Sequence, residues 1–212
     1  MAPPPPDHFG RLLLLVLVGF LLLGIEARWA ARLSLFTNAA LIIVAFRATS
    51  LRTSMPRLAA IAGVGIAAAV LGTFTSDGDR LIALTAIGEF VVLSTLVVAI
   101  VATVLRHDVV SGQTIIGVIS AYLLIGLAFS WLYLAIDIVD NDAFSLDETE
   151  VWSYSEFSFV VLTTLGFGNE VPTSPFAGRL VALEALTGQV FLATFVARMV
   201  AMYGQRRPPA DA

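Results

Sequence analysis

Val161-Leu-Thr-Thr-Leu-Gly-Phe-Gly-Asn-Glu-Val-Pro172 lies between the last two oily segments of a very oily chain, and its glycines and threonines interrupt an otherwise apolar run. The surrounding chain has 212 residues, 58% hydrophobic and 13% charged, with a mean hydropathy of +0.90. Soluble domains carry roughly 25% charged residues, so this composition points to an integral membrane protein. Cysteine is absent, which excludes disulfides, thiol nucleophiles and Cys-based metal sites. The two histidines, His8 and His107, are too far apart in sequence to suggest a metal cluster. All 12 basic residues are arginine, the acids number 16 and the net charge is −4. No basic run suggests nucleic acid, and no small-molecule substrate is evident.

A helix needs about 20 apolar residues to cross a hydrocarbon core of about 30 Å. Six stretches qualify, near 9–26, 29–46, 58–75, 81–105, 114–137 and 179–203, some with snorkelling arginines at their ends. Residues 1–8 read as a disordered, proline-rich tail. Residues 9–110 read as a four-helix membrane domain, and 111–205 as a second domain of helix, loop and helix. Leu12–Ile25 has the length of a signal-peptide core, but Glu26-Ala-Arg-Trp follows without a clean small-residue cleavage site. It is read as a retained first span. With the N-terminus inside, Arg11, Arg47, Arg52, Arg57, Arg106, Arg206 and Arg207 fall on the cytoplasmic side, against Arg28, Arg32, Arg80 and Arg179 outside. The positive-inside rule then predicts both termini in the cytoplasm of a multi-pass protein. Compact size and lysine-free basic usage suggest a bacterial inner membrane.

Between the fifth and sixth spans, Val151 to Thr163 is too short to cross a bilayer as a helix. The pattern predicts a re-entrant helix, with Ser153 or Ser155 capping its start. The glycines at 166 and 168 forbid simple helical continuation. Extended backbone at membrane depth is tolerated only where it is buried in protein or lines a watery cavity. Its carbonyls then lack helical partners, and a desolvated cation would satisfy them. Glycine at positive φ lets successive carbonyls point to one side, and the Thr164 hydroxyl would add an inner oxygen. One strand supplies oxygen on one side only, so a full cage needs several copies, most economically four.

Thr164-Leu165-Gly166-Phe167-Gly168, preceded by Thr163 and a short apolar run and followed by a long apolar helix, resembles the pore module of potassium channels, whose signature reads T-V-G-Y-G. The resemblance covers roughly residues 111–203. Pro172, the Pro175-Phe-Ala-Gly-Arg179 opening of the last helix, and Gly188 support it. It implies an all-α membrane protein of six transmembrane helices, with a re-entrant pore helix and selectivity filter between helices 5 and 6. It further implies a homotetramer in membrane lipid that passively conducts K⁺, with K⁺ held at Thr164, Leu165, Gly166 and Phe167 and no cofactor besides the permeant ion. Leu165 and Phe167 replace the usual valine and tyrosine, and Phe167 loses a hydroxyl that often fastens the filter. Asn169 replaces the usual aspartate at the outer mouth, although the Gly-Phe-Gly-Asn version occurs in potassium-selective channels of the ether-à-go-go type. Glu170 either restores that charge one position later or is a solvated surface residue. A weakly selective monovalent cation channel and a non-conducting membrane sensor with a channel-like fold stand as alternatives.

The outer loop carries Asp137, Asp140, Asp142, Asp147, Glu148, Glu150 and Glu156 without a compensating base. It reads as a solvated turret, as a cation-concentrating mouth, or less readily as a divalent-cation site. The fourth span has no arginine before Arg106, so an arginine-ladder voltage sensor is not expected. Glu89, inside that span, is either a hydrogen-bonded structural acid or an intramembrane sensor. Glu184 either supports the filter from behind or lines the cavity, and Gly188 is either a bend point or a close-packing residue. Arg198 is expected to snorkel toward headgroups. Glu89 and Glu184 lack a visible nucleophile or metal partner, so no enzyme is expected. With few residues after Tyr203, no nucleotide- or calcium-binding gating domain is expected in the chain. The gating stimulus is not written in the sequence.

Overall fold

Five helices make up the described part of the chain, which in this computed structural model comprises residues 9–23, 60, 63–64, 67, 79–106, 111–140, 143–146 and 151–204. They are α1 (Phe9–Leu23), α2 (Asp79–Leu105), α3 (Gly112–Asp140), α4 (Val151–Leu162) and α5 (Pro175–Gly204). Among the described residues the only extended pairing is a single antiparallel bridge between Phe144 and Pro172. The spans expected at 29–46 and, except for isolated helical residues, 58–75 lie outside the described residues, as does the tail at 1–8.

Three helices are long and apolar enough to cross a membrane: Ile82–Leu105, Gly112–Asp140 and Pro175–Ala201. They correspond to the stretches expected at 81–105, 114–137 and 179–203. Each of the last two begins earlier than expected because a cap residue, and not the first apolar residue, sets the start. Ser111 and Thr114 cap α3 reciprocally, with Thr114 N–H donating to Ser111 Oγ and Ser111 N–H to Thr114 Oγ1, each at 3.2 Å. Ser174 opens α5 by accepting the Ala177 N–H at 3.2 Å, and Pro175 at the first helical position has no N–H to satisfy.

α3 is the central element, packing against α1, α2, α4 and α5. Toward one end, Phe9, Leu12 and Val16 of α1 meet Leu93, Leu96 and Ile100 of α2, Leu124 and Ala128 of α3, and Phe195 of α5. Toward the other, Tyr133 and Ile136 of α3 cluster with Phe144, Tyr154, Phe157 and Ala177. In lipid such contacts contribute through packing and interhelical hydrogen bonds, because apolar side chains gain little by leaving hydrocarbon. α5 is the least covered of the long helices, with Leu183, Leu186, Val190, Val196 and Val200 all more than half exposed.

Candidate functional site

The opening stretch begins where α4 stops. Thr164 N–H donates to Val161 O and Leu165 N–H to Val160 O, both at 2.9 Å, which is the paired pattern of a Schellman helix end. That motif needs a left-handed residue, and Thr164 supplies it at φ 57. Glycine is the usual occupant, and a residue with a Cβ is strained there by roughly 1–2 kcal/mol. The left-handed conformation recurs at Gly166 (φ 63) and Gly168 (φ 83), while Thr164 is the one non-glycine with positive φ among the described residues. A Cβ added to Gly166 or Gly168 would meet nothing within 4 Å, so glycine is needed there for its backbone and not for space.

Residues Thr163 to Asn169 are all exposed, including Leu165 at 63% and Phe167 at 58%. Among the described residues no hydrogen bond ends on the carbonyls of Thr164 to Gly168. The Thr164 hydroxyl donates to the Thr163 carbonyl at 2.7 Å, which fixes its rotamer and leaves its lone pairs free. Phe167 shares a cavity of about 350 Å³ with Phe20 of α1 and Trp152, Glu156 and Phe159 of α4.

Behind this segment, α4 is fastened to both neighbouring helices. Glu184 of α5 is fully buried. Tyr133 of α3 donates to its Oε2 and Ser158 of α4 lies on its Oε1, each at 2.5 Å. Ser158 Oγ also reaches the Gly126 carbonyl of α3 at 2.7 Å, an oxygen that Ser130 Oγ approaches at 2.8 Å. This needs α3 and α4 in near contact, and a Cβ on Gly126 would sit 2.8 Å from the Phe159 ring. Tyr122 of α3 donates to the Leu162 carbonyl at 3.1 Å, where α4 ends. Gly188 of α5 lies beneath the same residue, since a Cβ there would approach Leu162 O to 2.7 Å and its Cδ1 to 2.8 Å. α5 runs on as helix through Gly188.

A second set of ties holds the other end of α4. Asp137 of α3 is buried, accepting from Tyr154 at 2.5 Å and from the Phe144 N–H at 3.0 Å. Phe144 is packed by the rings of Tyr133, Tyr154 and Phe157. Its bridge to Pro172 is made by Ser145 N–H donating to Val171 O at 2.9 Å and Thr173 N–H to Ala143 O at 2.8 Å. The chain that leaves the glycine segment is thereby pinned to the loop that follows α3.

The other residues singled out in the sequence fall in three places. Asn169 is exposed, and Glu170 is half-buried and engaged by a neighbour. Glu89 is buried on α2 and also engaged. Arg198 does not simply reach outward: it donates to the Leu105 carbonyl at 3.0 Å, on the last residue of α2, where a cation meets the negative end of the helix dipole. Asp137 departs from the reading of a uniformly solvated acidic loop, and Asp142, Asp147, Glu148 and Glu150 lie outside the described residues. Neither serine caps α4 as expected. The helix starts at Val151, Ser155 Oγ donates to Trp152 O at 2.7 Å, and Ser153 Oγ is buried without a partner among the described residues. Tyr122, Tyr133, Tyr154 and Ser158 were missed by sequence reasoning. For Tyr133, Tyr154 and Ser158 the signal that could have found them is the requirement that a buried acid have hydrogen-bonding partners, which on α3 and α4 means hydroxyls; Tyr122 meets a main-chain carbonyl and left no such signal.

The family model described as "Ion channel" matches residues 117–205, from the second turn of α3 to just beyond α5. No curated protein and no solved structure matches the chain. With three helices of spanning length, the chain reads as a helical membrane protein whose residues 117–205 are similar to ion channels.

Proposed function

We propose that the chain is one subunit of a homotetrameric channel that conducts K⁺ passively through a filter built from Thr164, Leu165, Gly166, Phe167 and Gly168. The observation that carries this reading is the row of carbonyls from Thr164 to Gly168 that no donor among the described residues meets, on a backbone whose handedness alternates. α4 has 12 residues and is about 18 Å long at 1.5 Å per residue, well short of the hydrocarbon core. It enters from outside and stops partway, and the filter returns as extended chain. Four copies around one axis would let these oxygens replace the hydration shell of K⁺, with neighbouring ions repelling one another forward. The C-terminal end of α4 adds partial negative charge below them. Leu165 and Phe167, exposed in one chain, and the bare apolar face of α5 are the surfaces that neighbouring copies and lipid would cover.

Fastening of the filter is assigned to Glu184, Tyr133 and Ser158 at the back of α4 and to the Phe144–Pro172 bridge at the outer mouth, because Phe167 has no hydroxyl to contribute. That loss is the one observation favouring a weakly selective cation channel. Purified protein in liposomes under bi-ionic K⁺ and Na⁺ gradients tests the proposal. K⁺ permeability well above that of Na⁺ is expected; near-equal permeability would overturn the K⁺ reading, and absence of flux would overturn the channel.

A further inference from the structure

Around Glu184 there are more oxygen–oxygen contacts than hydroxyl hydrogens to bridge them. Three short oxygen–oxygen contacts meet there: Tyr133 to Glu184, Ser158 to Glu184, and Ser158 to the Gly126 carbonyl. Each needs one hydrogen between its oxygens. A carbonyl has none, and Tyr133 and Ser158 have one each. Tyr133 supplies the first contact. The Ser158 hydrogen must lie toward Gly126, because that carbonyl has nothing to give. The remaining contact, at 2.5 Å, would then set bare lone pairs against each other unless the third hydrogen belongs to Glu184.

We infer that Glu184 is kept as the neutral acid and acts as a positioning residue, its proton donated to Ser158 and the Ser158 proton in turn to Gly126 O, so that the acid's proton ties α5 to α4 and the serine's ties α4 to α3. The environment agrees with this. The acid is fully buried, and its two partners are hydroxyls and not a cation. The ionisable groups on the elements packed against it are Tyr133, Tyr122, Asp137 and the exposed Asp140 on α3 and Tyr154 and Glu156 on α4. Of these, Tyr122 is bonded to Leu162 O and Tyr154 to Asp137, while Glu156 is exposed. On α5 itself Arg179 and Arg198 stand near the two ends, with Arg198 bonded to Leu105 O.

Infrared difference spectra of the full chain in lipid at neutral pH, wild type against Glu184→Gln, test the protonation directly. They do so whether or not the protein conducts. Loss of a protonated-carboxyl carbonyl stretch in the variant is the expected result, and an unchanged carboxylic-acid region would overturn it. The positioning role rests on the channel reading and is read from the K⁺ to Na⁺ permeability ratio. Glu184→Gln keeps one acceptor for Tyr133 and one donor for Ser158, so its ratio should stay within about twofold of wild type. Glu184→Leu should lose about tenfold, the equivalent of one buried hydrogen bond. Ser158→Ala, which removes the shared hydroxyl and leaves the acid in place, should lose a similar factor and serves if the leucine variant does not fold. Wild-type selectivity in both Glu184→Leu and Ser158→Ala would overturn the role.

Discussion

Thr164 is where the cost and the use of this site meet. The Schellman end of α4 asks for a left-handed residue and a threonine occupies it, at a strain of roughly 1–2 kcal/mol that glycine would not carry. Thr164→Gly should therefore unfold at the same temperature as wild type or a few degrees above it, while its K⁺ to Na⁺ permeability ratio falls because the hydroxyl is gone. A lower melting temperature with unchanged selectivity would reverse this assignment. Gly188 is limited by space and not by backbone conformation. Its Cβ would lie 2.7 Å from a main-chain oxygen that cannot swing aside, so Gly188→Ala should cost about 1–3 kcal/mol in thermal or denaturant unfolding. Tolerance of alanine would favour the bend-point reading. The glycines at 166 and 168 were legible in the sequence because their meaning is local. The meaning of Gly188 was not, because it depends on which residue of another helix lies opposite.

At the scale of elements, α4 is a short helix held from two sides, tied to both neighbouring helices and, through Asp137 and Phe144, to the loop that follows α3. Single hydrogen bonds between membrane helices contribute on average about 0.6 kcal/mol, up to about 1.7. Tyr154→Phe should lie at or above the upper figure, since it also leaves a buried Asp137 oxygen without its donor. Tyr122→Phe should lie near the lower one, because it removes only a neutral bond to Leu162 O. Equilibrium unfolding in detergent or bicelles checks the order; equal losses would contradict it. Lengths and types of α2 to α5 were readable to within a few residues from the apolar runs and the acidic loop, whereas the starts at Gly112 and Pro175 were not, because caps set them. The ties were not, because Ser158 and Tyr133 stand 26 and 51 positions from Glu184. On helices apolar on every side, no amphipathic stripe tells which face meets which. The expected serine cap on α4 failed for a related reason: Ser155 bonds back to the carbonyl of its own first turn.

For the whole molecule, the exposed segment from Thr164 to Gly168 and the uncovered α5 face in one chain are what the proposed four copies would bring together. Native mass spectrometry from mild detergent should find four chains, and a monomer that nevertheless conducts would contradict the assembly. The helices that pack on α3 from the N-terminal side share its core through Phe9, Leu12 and Leu96. Arg198, in the last turns of α5, joins that helix to the end of α2. Composition alone did not reveal this contact between α2 and α5. The most direct test of the central claim is a structure of the assembled protein in K⁺, read for density on its axis. The account predicts four copies of Thr164 to Gly168 facing one another, with cation density caged between their carbonyl oxygens. An axis without ions, or ions held by side chains elsewhere, would contradict it.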